Sequence, residues 1–269
     1  MPSAANLPPA PSGCVTLLTD FGLEDHYVGV LRGVVTRIFP GARIFDITHG
    51  VRPYNVAQAA FYLRHSYPYY PEGTVHVSVV DPGVGGARRP LVASAHGHYF
   101  IAPDNGLLSR ILSRADEPEV REIDPDRWGL KPLSSTFHGR DIFAPAGAWL
   151  ASGKPFAEMG PIVDEWVRLW PAEPREVNES LFHAPVLNID RFGNIVTGFR
   201  PNDLRGASSF RLRVGSLDST QLRETFEVSA DPIVLLGSSG YLELCIRKAS
   251  AADKAGAKIG DRAELALDV

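Results

Sequence analysis

Little in this chain points to a membrane, an oxidising compartment or a nucleic acid. Of its 269 residues only two are cysteine, Cys14 and Cys245, and both fall in apolar, strand-like runs. That number and placement suit reduced core thiols and build no disulfide framework. No apolar run approaches the ~20 residues that a bilayer-spanning helix needs. The opening MPSAANLPPAPSG has neither a cationic n-region nor an apolar h-region, so residues 1–13 read as a disordered lead-in and not as a secretory signal. Net charge is 27 − 31 = −4 with no basic block, which leaves no electrostatic footprint for nucleic acid. The expectation is a cytoplasmic protein with neither a membrane nor a nucleic-acid partner.

Signatures of phosphate, dinucleotide or metal binding are equally sparse. Gly83, Gly85 and Gly86 make no dinucleotide fingerprint, because the chain resumes as a strand and not as a helix. There is no GK[ST]. Asp20-Phe21-Gly22 is spelled like the kinase magnesium motif but lacks the glycine-rich loop, lysine and HRD that give it meaning. A metal hydrolase using Asp20, Asp25, Asp81, His138 and Asp141 is chemically conceivable, since carboxylates and imidazole suit several divalent ions. No HExxH or paired-cysteine spacing supports it, so no metal site is assigned.

What remains is ordinary globular composition, 44% hydrophobic and 22% charged, with enough length for two modest domains. Residues 14–19 (CVTLLT), 42–48 (ARIFDIT) and 75–80 (VHVSVV) read as strands. Between them lie two helical patterns, one capped by Asp25 and one opened by an Asn55/Gln58 capping box. Strand, helix, strand, helix, strand predicts a mainly parallel sheet with crossover helices. A hairpin around His96-Gly97-His98 follows, then a short helix after Asn105-Gly106, then an apolar helix over 142–151 that Asp141 can cap. From residue 160 onward prolines and acids dissolve the pattern, and beyond it short strands dominate. The expected organisation is an α/β N-terminal domain over 14–165, a linker over 166–180 and a small all-β, barrel-like C-terminal domain over 181–269.

Polar clusters recur where strands or helix entries meet loops: Asp20 with Asp25, Asp81 with Arg88, His138 with Arg140 and Asp141, and Asp190 with Asn194. Each taken singly has a plain structural reading as a turn or a cap. Their repetition at strand ends is what suggests a site, since open α/β sheets bind ligands there.

Several segments together resemble the S-adenosyl-L-methionine (SAM) hydroxide adenosyltransferases, hydrolase kin of the SAM-dependent fluorinase and chlorinase. They are TDFG with Asp25, VDPGVG with Arg88, APDNGLL over 102–108, TFHGRD over 136–141, Phe192-Gly193-Asn194, and SSGYL over 238–242. They run in family order across nearly the whole chain. The resemblance implies catalytic residues Asp81, Arg88 and His138 acting on a water molecule. It puts substrate contacts at Asp20 and Tyr54 near the ribose, at Asp190, Ser238 and Asp25 near the methionine, and at Phe192 and Asn194 near the adenine. Asn105 and Phe137 fall in matching motifs. It further implies a homotrimer of two-domain subunits, with the site at the subunit interface, and SAM as substrate without any cofactor. Gly237, where relatives often carry asparagine, and Cys245-Ile246-Arg247-Lys248, in place of an Ala-x-Asn run, depart from the pattern.

A sulfonium is already an excellent leaving group, so such a reaction needs chiefly an aligned nucleophile. Positioning of that kind contributes several kcal/mol, on the order of 7. Arg88 cannot accept a proton, which leaves Asp81 and His138 as alternative acceptors. A halogenase reading is weaker. Halogenases of this superfamily carry tyrosine where this chain has Asp81, and a carboxylate repels a halide. A non-catalytic SAM or adenosine binder is the remaining alternative, opposed by the intact Asp–Arg–His set.

Overall fold

Two strands carry the first unit. β1 (Cys14–Thr19) and β3 (Val75–Val79) are buried at every position, as expected of parallel strands covered on both faces. The structure, a computed structural model, describes residues 8–126, 128, 133–169, 173–226 and 231–268. β1 lies between β2 (Arg43–Thr48) and β3, parallel to both, and β3 pairs in parallel with β5 (His98–Pro103). β4 (Pro90–Ala95) and β6 (Glu119–Glu122) add antiparallel pairings, completing the order β2-β1-β3-β5-β4-β6. The sheet is therefore mostly parallel. β6 falls in a stretch that reads as a polar connection, because its EVRE carries a single apolar residue, the buried Val120. The β4–β5 hairpin turns at His96-Gly97 with φ of 51° and 76°, the paired positive φ of a type I′ turn.

Helices cover both faces. α1 (Tyr27–Ile38) and α4 (Ala144–Ala151) pack one side with Leu31, Val35, Ala144 and Ala148 against Val15, Leu17, Val75 and Val77. α2 (Val56–Ser66) and α3 (Ser109–Leu112) pack the other with Ala59, Leu63 and Ile111 against Leu18, Leu91 and Phe100. Gly147 lets α4 lie against β3: a Cβ there would stand 2.5 Å from Val77 Cγ2.

The caps differ from expectation in three places. His26, not Asp25, occupies the α1 N-cap, and it makes no side-chain cap bond. Asn55 Oδ1 does accept from the Gln58 amide, but Gln58 Oε1 accepts from the Arg52 amide instead of closing the box. Asp141 lies inside a π-turn, Gly139–Phe143, that runs directly into α4, so it does not cap that helix. At the chain's start, residues 1–7 lie outside the described residues. From Pro9 the chain lies along the unit, with Tyr99 Oη donating to the Pro9 carbonyl and the Ser12 amide to Gly73.

The chain divides into two compact units after Leu169. The second is a curled half-barrel of nine strands. Its path runs β11 (Leu217–Ser219), β10 (Phe210–Val214), β15 (Arg262–Leu267), β8 (Leu181–Ile189), β9 (Ile195–Thr197), β14 (Leu242–Cys245), β13 (Ile233–Leu236) and β12 (Leu222–Arg223). β7 (Arg175–Asn178), within the stretch read as linker, pairs β8. All these pairings are antiparallel except β12 with β13. β8 joins the halves by pairing β15 through its first residues and β9 through its last, with a register shift between Val186 and Asn188. Such a shift bends a strand. The expectation of an all-β unit needs correction: α5 (Ala251–Ala255) interrupts it, capped by Ser250 accepting from the Asp253 amide and ended by Gly256 at φ 67°. The Ser-x-x-Asp signature was present but only five residues of helix follow it.

One consequence is a pH-dependent stability. His76 on β3 is fully buried, bonded through Nδ1 to Thr16 Oγ1 at 2.8 Å and through Nε2 to His98 Nδ1 at 3.2 Å. Burial, with His98 adding, pushes its pKa down to about 3, and burial with the Arg32 charge pushes that of His49 down to about 4. The unfolded chain titrates both near 6.5. Below that pH the unfolded state binds more protons, so stability is lost as pH falls from about 6.5 toward 4, while above 6.5 these groups contribute no slope. Denaturant unfolding across this range is expected to show that loss, with a shallower slope in His76→Asn.

Candidate active site

Thr19 pairs with Val79, so Asp20 and Val80-Asp81 leave adjacent parallel strands at the same edge. Because β1 sits between β2 and β3, the chain departs to one side of β1 and returns on the other. That arrangement is a topological switch point, where open α/β sheets form ligand crevices. A pocket of about 360 Å³ opens there, lined by Asp20, Phe21, Tyr27, Tyr54, Asp81, Phe137 and His138 among others.

Asp81 begins a loop of two successive turns, closed by the Val84 amide on the Asp81 carbonyl and the Gly86 amide on the Gly83 carbonyl. The loop returns Arg88 to Asp81. Arg88 Nε donates to both carboxylate oxygens, at 2.9 and 3.1 Å, and Nη2 donates to Oδ2 as well. The pair is nearly dry, with side-chain exposures of 10% and 6%. Nη2 also lies 2.7 Å from His138 Nδ1, and the guanidinium stacks 5.3 Å over the Phe143 ring. A guanidinium only donates, so Nδ1 is the acceptor and the neutral ring carries its hydrogen on Nε2. Burial first and the Arg88 charge second lower the His138 pKa, against the opposing pull of Asp81 and Asp141.

Two features deliver His138 to that contact. Gly85 has φ 78°, and a Cβ there would stand 2.7 Å from the Ser135 carbonyl, so the DPGVG loop and the segment ahead of His138 meet backbone to backbone. Asp141 accepts from the Leu133 and Ser134 amides at 3.0 and 3.1 Å and from Arg140 Nε at 2.7 Å. Burial pushes its carboxyl upward, but the Arg140 bonds and charge and the two amides outweigh that and hold it low.

Phe21, Tyr27 and Phe137 form an edge-to-face wall with centroids 5.2 to 6.0 Å apart. Asp20 Oδ2 accepts from the Tyr54 amide at 2.8 Å, and Tyr54, at φ 66°, is 73% exposed. Two residues given site roles from sequence are not among the residues lining this pocket. Asp25 is exposed in the loop before α1 and does not line the pocket. Asn105 spends its amide on the frame, donating to the Val80 carbonyl at 2.8 Å and accepting from the Leu107 amide. Phe21 and Tyr27 were not singled out, because one reads as a turn residue and the other as the first residue of an amphipathic helix.

The second unit carries its own polar loop. Asp190 accepts from the Phe192 and Asn194 amides and from Asn194 Nδ2, all within 2.9 Å. Gly193, at φ 84°, lies so close to Ser250 that a Cβ would meet its Oγ at 2.2 Å. Beside this loop is a pocket of about 710 Å³ lined by Phe192, Asn194, Phe226, Arg247 and Lys248 among others. Ser238 is exposed in the turn between β13 and β14. Glu243, which sequence reasoning passed over as a strand residue, is half-buried. Desolvation and Asp190 push its pKa up to about 7. Gly237 faces it: a Cβ would stand 1.7 Å from Glu243 Oε1, so a larger residue there would displace the carboxylate. Among the described residues no group of three or more His, Cys, Asp or Glu could hold a metal ion. No described helix is long and apolar enough to cross a membrane.

Residues 15–160 match the family model for the SAM hydroxide adenosyltransferase N-terminal domain, and residues 184–264 match that for the C-terminal domain. The chain belongs to the SAM hydroxide adenosyltransferases. Within this family it is 39% identical to the (R)-S-adenosyl-L-methionine hydrolase of Thermus thermophilus, over 91% of this chain and 96% of that protein. It is 38% identical to the protein of that name in Salinispora arenicola, over 92% of this chain and 95% of the relative. A fluorinase of an Actinoplanes species is more distant, 28% identical over 86% of this chain and 89% of its own length. Among solved structures, an uncharacterized conserved protein from Thermotoga maritima superposes with a TM-score of 0.85 at 36% identity, covering 94% of this chain and 99% of that one.

The Asp81–Arg88–His138 cluster depends on the close approach at Gly85. Gly85→Ala is expected to cost about 1–3 kcal/mol from the strained φ and the clash, and to lower turnover by displacing His138. Thermal unfolding and steady-state assays of the purified variant check both.

Proposed function

We propose that this protein hydrolyses S-adenosyl-L-methionine to adenosine and L-methionine by in-line attack of water on C5′. The observation that carries the reading is the dry Asp81–Arg88–His138 contact, seated in the pocket at the switch point. Water's oxygen forms a bond to C5′ as the C5′–S bond breaks. The sulfur keeps the electron pair as the neutral thioether of methionine, and the water proton passes to a base. No electron acceptor or Lewis acid is required, because the sulfonium departs unaided.

The geometry supports Asp81 as that base. His138 Nδ1 is occupied by Arg88 and Nε2 carries the hydrogen, so the ring offers a donor and not a free lone pair. Asp81 retains acceptor capacity beyond its bonds from Arg88, and the guanidinium fixes its orientation. His138 then orients the nucleophile through Nε2–H. Protonation of His138 would place a second N–H against Arg88, which its lowered pKa opposes.

In this reading Asp20 holds the ribose hydroxyls; its Oδ1 bonds no described residue and remains available. Tyr54 and Phe137 bound the sugar. Phe192 and Asn194 serve the adenine, while Asp190, Ser238 and Asp25 serve the methionine. Asn105 acts indirectly by anchoring the end of β3. The assembly is a homotrimer with the site at the subunit interface and a barrel-like second domain, and sedimentation equilibrium tests the stoichiometry.

Turnover in ¹⁸O-water is the direct test: label at the adenosine 5′-oxygen is expected, and unlabelled adenosine would exclude water as the nucleophile at C5′. A halogenated nucleoside formed in chloride or fluoride buffer would favour the halogenase alternative. Asp81→Asn is expected to reduce kcat by about 10²–10⁴-fold, the range for losing a positioned base, while calorimetry still detects adenosine binding. The acid limb of kcat/KM is expected below pH 6.5, with activity lost as pH falls and His138 gains its second proton.

A further inference from the structure

We infer that His49 is a positioning residue for the pocket wall that carries Asp20, acting through the Thr19 hydroxyl. The inference rests on the hydrolase reading for what that wall holds, though its structural part stands independently. His49 follows β2 and is buried, its side chain only 2% exposed. Among the described residues its side chain meets Thr19 and Asp46, and none of Asp81, Arg88 or His138. Its Nδ1 lies 2.7 Å from Thr19 Oγ1, and that same oxygen accepts from the Phe21 amide at 3.2 Å.

Thr19 Oγ1 has two lone pairs and only one is committed to the Phe21 amide, so the tautomer is set at the other ring nitrogen. The Asp46 carboxylate beside Nε2 only accepts and favours the hydrogen there, which leaves Nδ1 to accept from the Thr19 hydroxyl. Nε2 lies 3.1 Å from Asp46 Oδ1 but off the line of a hydrogen bond, and Asp46 is itself held by Arg32 from α1. Burial keeps the ring neutral at physiological pH, so this arrangement does not titrate near neutrality.

Backbone bonds converge on the same junction. The His49 carbonyl accepts from the Gly22 amide at 2.9 Å, and the Thr19 carbonyl from the Val51 amide at 3.4 Å. Asp20 Oδ2 closes the far end on the Tyr54 amide. The segments 19–22 and 49–54 are thereby tied into one wall, and they supply Asp20, Phe21, Pro53 and Tyr54 to the pocket. A residue required only to fill space would be apolar, because a buried Nε2–H without a partner is costly. The imidazole is retained for what Nδ1 does: it sets the Thr19 rotamer, which presents a lone pair to Phe21 and holds the backbone on both sides of Asp20.

The test uses His49→Ala and Thr19→Val in the full chain, with steady-state kinetics on SAM and amide exchange of the ligand-free protein. The wall holds the ribose and not the reacting water, so KM is expected to rise about tenfold with kcat within about threefold, the mark of lost binding that is uniform along the reaction. Exchange at Phe21, Gly22 and Tyr54 is expected to accelerate about tenfold, and the double variant to be no worse than either single one, as for two members of one path. His49→Asn, whose carbonyl can accept from Thr19, is expected to restore most of the KM. Lowered thermal stability with unchanged KM and unchanged exchange at those amides would overturn the inference, leaving His49 a packing residue. A loss confined to kcat would overturn it too. If the wild-type protein does not turn over SAM, the hydrolase reading fails, and the exchange data still decide whether His49 positions the wall. Should His49→Ala not fold, Thr19→Val carries the same expectations.

Discussion

Everything at this site depends on one guanidinium. Arg88 is the group through which Asp81 and His138 become a unit: it grips the carboxylate with two nitrogens and turns one of them to the imidazole. Buried charges are tolerated only when paired and hydrogen-bonded, and the pairing here is bidentate, stacked on Phe143 and almost closed to solvent. Arginine cannot take up a proton, so in the proposed reaction it leaves the carboxylate as acceptor and turns a donor of the imidazole to the pocket. A lysine would supply the charge without the fork, and the tautomer of His138 would no longer be set.

Holding that arrangement is the work of the surrounding unit. The two strand ends at the switch point set the separation of Asp20 and Asp81. Gly147 brings α4 onto β3, and the π-turn at the head of α4 carries His138 toward the carboxylate. Gly85 then lets the Asp81 loop touch the chain ahead of His138. At Gly85 and Gly147 a single methyl group would obstruct the approach, which gives these glycines a use at a site whose proposed substrate has no phosphate to cradle.

The proposed chemistry and this architecture are matched in their demands. A sulfonium needs no protonation to depart, so the protein need supply only geometry and a proton acceptor. Rigid, dry and pre-paired groups suit that task better than titrating ones. His76 and His49, both buried and held neutral, follow the same pattern: they brace strand ends while carrying no charge.

Much was legible without coordinates. Alternation of apolar runs with helical spacing announces the parallel sheet, because a strand buried on both faces must be apolar throughout. The motifs around Asp81, Arg88 and His138 each read singly as a turn or a cap, yet the structure brings the three side chains into contact. Local signals misled where tertiary forces compete with them. Asp25 and Asp141 look like helix caps, yet one stays in a loop and the other is drawn to Arg140 and two amides. Asn105, in one of the matching motifs, ties down the Val80 carbonyl. Glu243 and His49 carry no motif strong enough to notice, since their meaning lies in partners distant in sequence. Sequence alone therefore determined which side chains are available and which strands must be buried, since both follow from composition and period. Only the tertiary structure decided which nitrogen of His138 faces Arg88, and so which group would take the proton in the proposed reaction. That choice depends on distances between segments fifty residues apart, which no local pattern encodes.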